Sequence, residues 1–104
     1  MASMRHENLS RLQGRVGSVR HVEGGAEMPA TLADVGERLE RQGFEQFSLL
    51  FQVQQAGEPR QGLHAVVIEG EPVGEMFLVP VARNGDQVSY EACFNRRVAG
   101  AEGK

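Results

Sequence analysis

Apolar and polar residues alternate with a period of two along much of this chain, the pattern of strands that bury one face. Phe47 to Gln54 shows it best. Phe47, Leu49, Phe51 and Val53 fall on one face, and Ser48, Leu50, Gln52 and Gln54 on the other. Leu63 to Glu69 predicts a second strand. Val66, Val67 and Ile68 make it apolar on both faces, as expected of a central position. Arg15 to Val22 alternates as well, with Val16, Ser18, Arg20 and Val22 sharing a face. Glycine and proline punctuate these runs and predict turns at His21–Met28, Ala56–Arg60 and Gly70–Val73.

The strongest local signal lies between Gly74 and Asn95, where two alternating runs flank Asn84-Gly85. With Asn84 and Gly85 as the loop of a type I′ turn, Val81 opposes Val88, Val79 opposes Tyr90, Phe77 opposes Ala92 and Glu75 opposes Phe94. One face then carries Phe77, Val79, Val81, Val88, Tyr90, Ala92 and Phe94, and a slip of one residue would scatter it. Met76, Leu78, Pro80, Ser89, Glu91 and Cys93 form a mixed opposite face. Pro80 has no N–H for a ladder, so a sheet defect is expected there: a missing neighbour or a bulge.

Thr31 to Gln42 reads differently. Leu32, Val35 and Leu39 recur at helical spacing, Thr31 suits an N-cap and Gly43 a stop. Gly36 in the middle opposes a helix, and a bent strand is the other reading. Leu9 and Leu12 predict one short helical turn ending at Gly14. Residues 1–8 and 98–104 are expected to be flexible ends of a single domain spanning 1–104.

Composition narrows the classes. The chain has 104 residues, 40% hydrophobic and 24% charged, which fits one globular domain. A net charge of −3, from 14 acidic and 11 basic side chains, argues against a nucleic-acid or membrane-surface partner. No apolar run approaches the ~20 residues of a membrane span, and the first residues hold no secretory apolar core. The cytoplasm is the expected location. Cys93 is alone, so no intrachain disulfide can form.

Candidate chemistry is sparse. Cys93, His64 and Asp86 are the residue types of an activated thiol, but Cys93 falls within a strand rather than on an exposed turn. His6, His21 and His64 lack metal-ligand spacing. Glu69, Glu71 and Glu75 read as exposed turn charges, and Arg96 and Arg97 as a solvated strand end. No catalytic set, metal or cofactor is implied.

Four blocks carry a resemblance: Phe47-Ser48-Leu49-Leu50-Phe51; Gln61-Gly62-Leu63-His64; Gly74 with Phe77-Leu78-Val79-Pro80-Val81; and Tyr90-Glu91-Ala92-Cys93-Phe94-Asn95. Together, over residues 30–97, they resemble an uncharacterised family of small bacterial domains. The chain departs from that pattern where His64 follows closely after Gln61 and where Cys93 stands in place of valine. The resemblance implies a strand leading into the Phe47 hairpin, which favours strand over helix for Thr31–Gln42. It also implies an association with phage-tail-collar-type proteins.

The expected fold is mainly β, a small antiparallel β-barrel or two-layer sandwich with one short N-terminal helix. The expected function is a non-enzymatic protein-interaction or assembly module, accessory to a phage-tail-like or collar-domain protein, with a protein partner or a second copy of itself. The alternative is a small-ligand-binding β-barrel. It requires a cavity of some hundreds of Å³, and His64, Tyr90 and Glu91 are the residues expected to supply its polar groups.

Overall fold

Strands with one apolar face stay stable only by covering that face, and here the sheet covers its own by closing. The structure is a computed structural model that describes residues 5–55 and 57–97. The elements are α1 (His6–Arg11), β1 (Val16–His21), β2 (Met28–Val35), β3 (Leu39–Arg41), β4 (Phe44–Gln54), β5 (Gly62–Ile68), β6 (Glu71–Asn84) and β7 (Gln87–Arg97). All seven strands join one antiparallel sheet in the order β2-β1-β5-β6-β7-β4-β3. Pairing of β2 with β4 closes it in a ring, with β3 a short arm on β4. Among the described residues no helix is long and apolar enough to cross a membrane.

The interior is built by the predicted alternation of β4 and β7. Phe47, Leu49, Phe51 and Val53 point inward against Val88, Tyr90 and Ala92 of the neighbouring strand. β5 is central between β1 and β6, as expected, and buries His64, Val66 and Ile68. At one end α1 inserts Leu9 into the core. His6 to Asn8, expected to fray, are the first turn of this helix. His6 Nε2 bonds the Gly36 carbonyl at 2.8 Å and its ring meets Phe47 edge-on. The remaining parts of the expected flexible ends, 1–4 and 98–104, lie outside the described residues. On β1 the inward residues are Val19 and His21, while Val16 on the other face is exposed.

Thr31–Val35 is strand, not helix, and the reason its spacing mimics a helix is visible. A bulge between Leu32 and Asp34 shifts the β2–β4 register by one residue. An extra residue turns a spacing of two into three, so Leu32 and Val35 both reach the core. Leu39, the third member of the apparent helical face, is exposed on β3.

The final hairpin differs from its predicted register. Its loop is Gly85-Asp86 between paired Asn84 and Gln87. Gly85 at φ +63° stands at the first loop position, where a type II′ turn needs it. A bulge between Pro80 and Ala82 then sets Pro80 opposite Tyr90 and Val79 opposite Glu91. The inward residues of β6 near the hairpin are therefore Met76 and Leu78, which join Val73 in the core, and Phe77 and Val81 are exposed. The β7 half of the predicted face is inward; the β6 half is outward. The defect expected at Pro80 takes both predicted forms, since the β5–β6 pairing also ends at Leu78 and leaves Pro80 without that neighbour. Phe77 stands opposite Leu63 on the outer surface at 54% exposure. Phe77→Ser is expected to change stability by no more than about 0.5 kcal/mol in urea denaturation. A loss of several kcal/mol would place Phe77 in the core after all.

Candidate functional site

The end of the ring opposite α1 is where β1 meets the β1–β2 loop and β4 meets the β4–β5 loop. Antiparallel pairing puts His21 directly opposite His64 there, both inward, with ring centroids 5.0 Å apart. Tyr90 of β7 approaches His64 from across the interior at 5.6 Å between centroids. His21 is seated by two glycines. A Cβ at Gly25 would stand 2.7 Å from the His21 Cβ, and one at Gly62 would fall on His21 Nε2.

Hydrogen bonds assign the tautomers. The Glu23 N–H donates to His21 Nδ1 at 3.1 Å, so Nε2 carries the proton and donates to the Gln61 carbonyl at 3.2 Å. His64 Nδ1 lies 2.9 Å from the Gly62 carbonyl, which only accepts, so Nδ1 carries the proton and Nε2 is left with its lone pair. His64 is 1% exposed, and that Nε2 has no hydrogen-bond partner among the described residues. The Tyr90 hydroxyl has both roles filled: it donates to Gln55 Oε1 at 2.6 Å and accepts from the Arg60 N–H at 3.2 Å. Gln55 Nε2 donates in turn to the Glu58 carbonyl at 2.7 Å. The Arg83 guanidinium fixes the same loop through the Gln55 and Gly57 carbonyls at 2.8 and 2.9 Å.

These groups border a cavity of about 360 Å³, with His21, Met28, Gln55, Arg60, His64 and Tyr90 among its walls. Such a volume is at the small end of the ~300–1,000 Å³ usual for ligand sites. Two further hollows of similar volume lie towards the β3 end, where no buried polar atom is left without a partner among the described residues. The polar cluster at that end is a structural brace. Glu45 is held by Arg38 and Arg96 at 2.6 Å each, and Arg96 lies over the stacked rings of Phe47 and Phe94.

Burial pushes His64 below its ordinary value of 6.5 and outweighs the Gly62 hydrogen bond that raises it; His21 and Arg60 act in the same direction as burial. Protonation is therefore harder in the folded state. Stability present in full above 6.5 is lost as pH falls below it, towards the depressed folded value. Burial raises Glu45, but the hydrogen bonds from Arg38 and Arg96 prevail and hold it below 4.5, so its contribution is lost only in stronger acid. His64→Gln is expected to flatten the stability profile between about pH 6.5 and 4.5 while leaving the steeper loss below. Urea midpoints measured from about pH 7 to pH 4 check this. An unchanged slope in the variant would show that His64 is not the group responsible.

Of the three residues expected to supply polar groups, the structure brings together His64 and Tyr90. Glu91 does not join them, because it follows Tyr90 directly on the strand and lies on the outer face, across from Val79 and Leu50. Cys93 is also outward and exposed, on the other side of the sheet from buried His64, and Asp86 is in the β6–β7 turn. The three residues of the imagined thiol set are thus apart. Burial, and then Glu91, push the Cys93 thiol up rather than activating it. Arg96 is paired with Glu45 rather than simply solvated, and Arg97 lies over Phe44. Glu69 pairs with Arg15 at 3.0 Å. Among the described residues no group of three or more His, Cys, Asp or Glu is placed to hold a metal ion. Sequence reasoning missed His21, Gln55 and Arg60, which lie at a strand end and in a loop. The inward alternation of Gly17, Val19 and His21 is the signal that points to the first of them.

No curated protein and no solved structure matches the chain. A family model does match it, over residues 4–94, and the chain therefore belongs to the family described as Domain of unknown function (DUF6916).

Proposed function

We propose that this domain is a non-catalytic binder of a small molecule, with its site in the cavity between the β1–β2 and β4–β5 loops. One observation carries the reading: a cavity of about 360 Å³ bordered by an imidazole that is 1% exposed and has an unpartnered ring nitrogen. Buried polar atoms are almost always satisfied, so one that is not marks a place where something else bonds. The two further hollows, towards the β3 end, hold no unpartnered buried polar atom among the described residues, which favours this end for the ligand. The separation of Cys93 from His64 supports binding rather than catalysis. We place the domain in the cytoplasm, where the exposed Cys93 stays a thiol.

The test is a thermal-shift screen of small polar compounds on the full chain. A true ligand at a hundred times its Kd adds about 2.7 kcal/mol, which moves the Tm of a domain this size by roughly 10 °C or more. Ala26→Trp at the cavity mouth is expected to abolish the shift without lowering the Tm of the free protein. If no compound moves the Tm and none perturbs the amides around the cavity, the reading fails.

A second reading is favoured by a different observation, the exposed pair Leu63 and Phe77 on the outer face of β5 and β6. In it the domain is a protein-interaction or assembly module, accessory to a phage-tail-like or collar-domain protein. Co-purification of a specific partner from the native host, lost in Phe77→Ser, supports it. Identical recovery with both chains removes it.

A further inference from the structure

We infer that the cavity recognises a small, ring-sized ligand that presents an O–H or N–H donor at its buried end, accepted by His64 Nε2. This rests on the ligand-binding reading above and adds the ligand's chemistry. The inference follows from which polar groups are already committed. Both nitrogens of His21 are engaged, by the Glu23 N–H and the Gln61 carbonyl. The Tyr90 hydroxyl both donates and accepts within the protein. Gln55 is tied at both ends of its amide, to Tyr90 and to the Glu58 carbonyl. Among the described residues, the remaining unsatisfied buried side-chain atom is an acceptor, because the Gly62 carbonyl holds the His64 proton on Nδ1.

That arrangement selects by charge as well as by hydrogen bonding. A carboxylate at the buried end would set its lone pairs against the lone pair of Nε2 and lose its water without compensation. The charged walls are at the mouth instead. Arg60 is half exposed there, 3.8 Å from Glu23, and Glu58 is exposed. Met28, Ala26 and the Tyr90 ring supply an apolar flank. A site that buries a hydrogen-bonding group rejects an analogue lacking the matching group, because its own atom is then left unpaired.

The experiment uses the full chain, isotopically labelled at the histidine ring nitrogens and backbone amides, titrated with phenol, toluene and benzoate. Phenol is expected to bind about five- to tenfold more tightly than toluene and more tightly than benzoate, and to move the His64 Nε2 resonance to the position of a hydrogen-bonded acceptor. His64→Phe keeps a ring in place but has no acceptor, and is expected to bind phenol and toluene equally. His64→Gln has an amide oxygen that can accept, and is expected to restore part of the preference. Equal binding of phenol and toluene by the wild type, tighter binding of benzoate, or a preference that survives in His64→Phe overturns the donor inference while the ligand site itself stands. An Nε2 resonance already in the hydrogen-bonded position and unmoved by any probe assigns the atom to a bound water and overturns it too. If none of the three probes perturbs the cavity amides, both the inference and the ligand-binding reading fail.

Discussion

Gly17→Val is expected to leave the chain unfolded at room temperature. Gly17 sits in the middle of the β2-β1-β5 ladder, opposite Ala30 on one side and Ile68 on the other. A Cβ at this position would fall on the Val67 carbonyl oxygen and stand 2.8 Å from the Ile68 Cα, both backbone atoms. The obstacle is space rather than dihedral preference, since Gly17 is not among the residues with positive φ. A flexible side chain could swing aside, but a paired backbone moves only if β1 leaves β5, and that opens the ring. Overpacking even by one methyl costs about 1–3 kcal/mol in a core that can adjust, and here adjustment breaks ladder bonds. Valine adds two more carbons, against a total stability of roughly 5–15 kcal/mol for a domain of this size. Circular dichroism and amide dispersion read the outcome. Gly57→Ala is the control: nothing lies within 4 Å of its added Cβ, and its expected effect is within about 1 kcal/mol. A Gly17→Val protein with a native spectrum and an unchanged urea midpoint would show that the ring tolerates separation of β1 from β5.

Tyr90→Ala is expected to cost about 3–5 kcal/mol, or roughly 15–30 °C in Tm. Tyr90 has no exposed surface and packs among the inward residues of the ring while its hydroxyl reaches the β4–β5 loop. Truncation removes the packing and the tether together. Tyr90→Phe separates them. The ring stays, and the Gln55 Oε1 and the Arg60 N–H each lose a partner, for an expected cost of about 1–2 kcal/mol. Because Arg83 still holds the Gln55 and Gly57 carbonyls, the loop is expected to loosen rather than detach. Faster amide exchange confined to residues 57–61 is the signature. If Tyr90→Phe matches the wild type in both Tm and loop protection, the hydroxyl does not organise this wall of the cavity.

The comparison of β4 with β6 shows what alternation can and cannot reveal. In β4 the period of two runs unbroken from Phe47 to Val53, and the inward face is the one that the pattern predicts. In β6 the pattern offered two candidate faces, because Phe77, Val79 and Val81 are as apolar as Met76 and Leu78. The choice between them depended on the bulge. Asn84-Gly85 and Gly85-Asp86 both place a glycine where positive φ is needed, and moving the loop by one residue moves the pairing by two, so that Val88 opposes Arg83 instead of Val81 and every side chain keeps its face. The bulge at Pro80–Ala82 then takes back one residue, so that beyond it the net shift is one. One slip reverses every side chain beyond it, so Leu78 is buried and Phe77 stands in water. In β2 a bulge acted in the opposite sense and made a strand look helical.

The site was legible in part for the same reason. His64 and Tyr90 could be named because each falls on a predicted strand; alternation puts Tyr90 on the apolar face of β7, whereas β5 is apolar on both faces and its pairing decided that His64 points inward. Glu91 failed because adjacent residues of a strand face opposite sides, so closeness in sequence to Tyr90 guaranteed separation from the cavity. His21 was read into a turn. It became a site residue only when pairing with β5 placed it opposite His64 and the glycines at 25 and 62 left room for its ring.

The sequence by itself determined β1 and β4 to β7, the mainly β class, the inward faces of β4 and β7, and the break that Pro80 imposes. These are properties of a few neighbouring residues, written in side-chain alternation and in a missing N–H. Only the tertiary structure decided that β2 pairs with β4 to close the ring, which face of β6 is buried, and that a buried histidine nitrogen borders a cavity. Those outcomes depend on pairing between residues far apart in the chain. There, one inserted residue costs little locally and inverts the arrangement of everything beyond it.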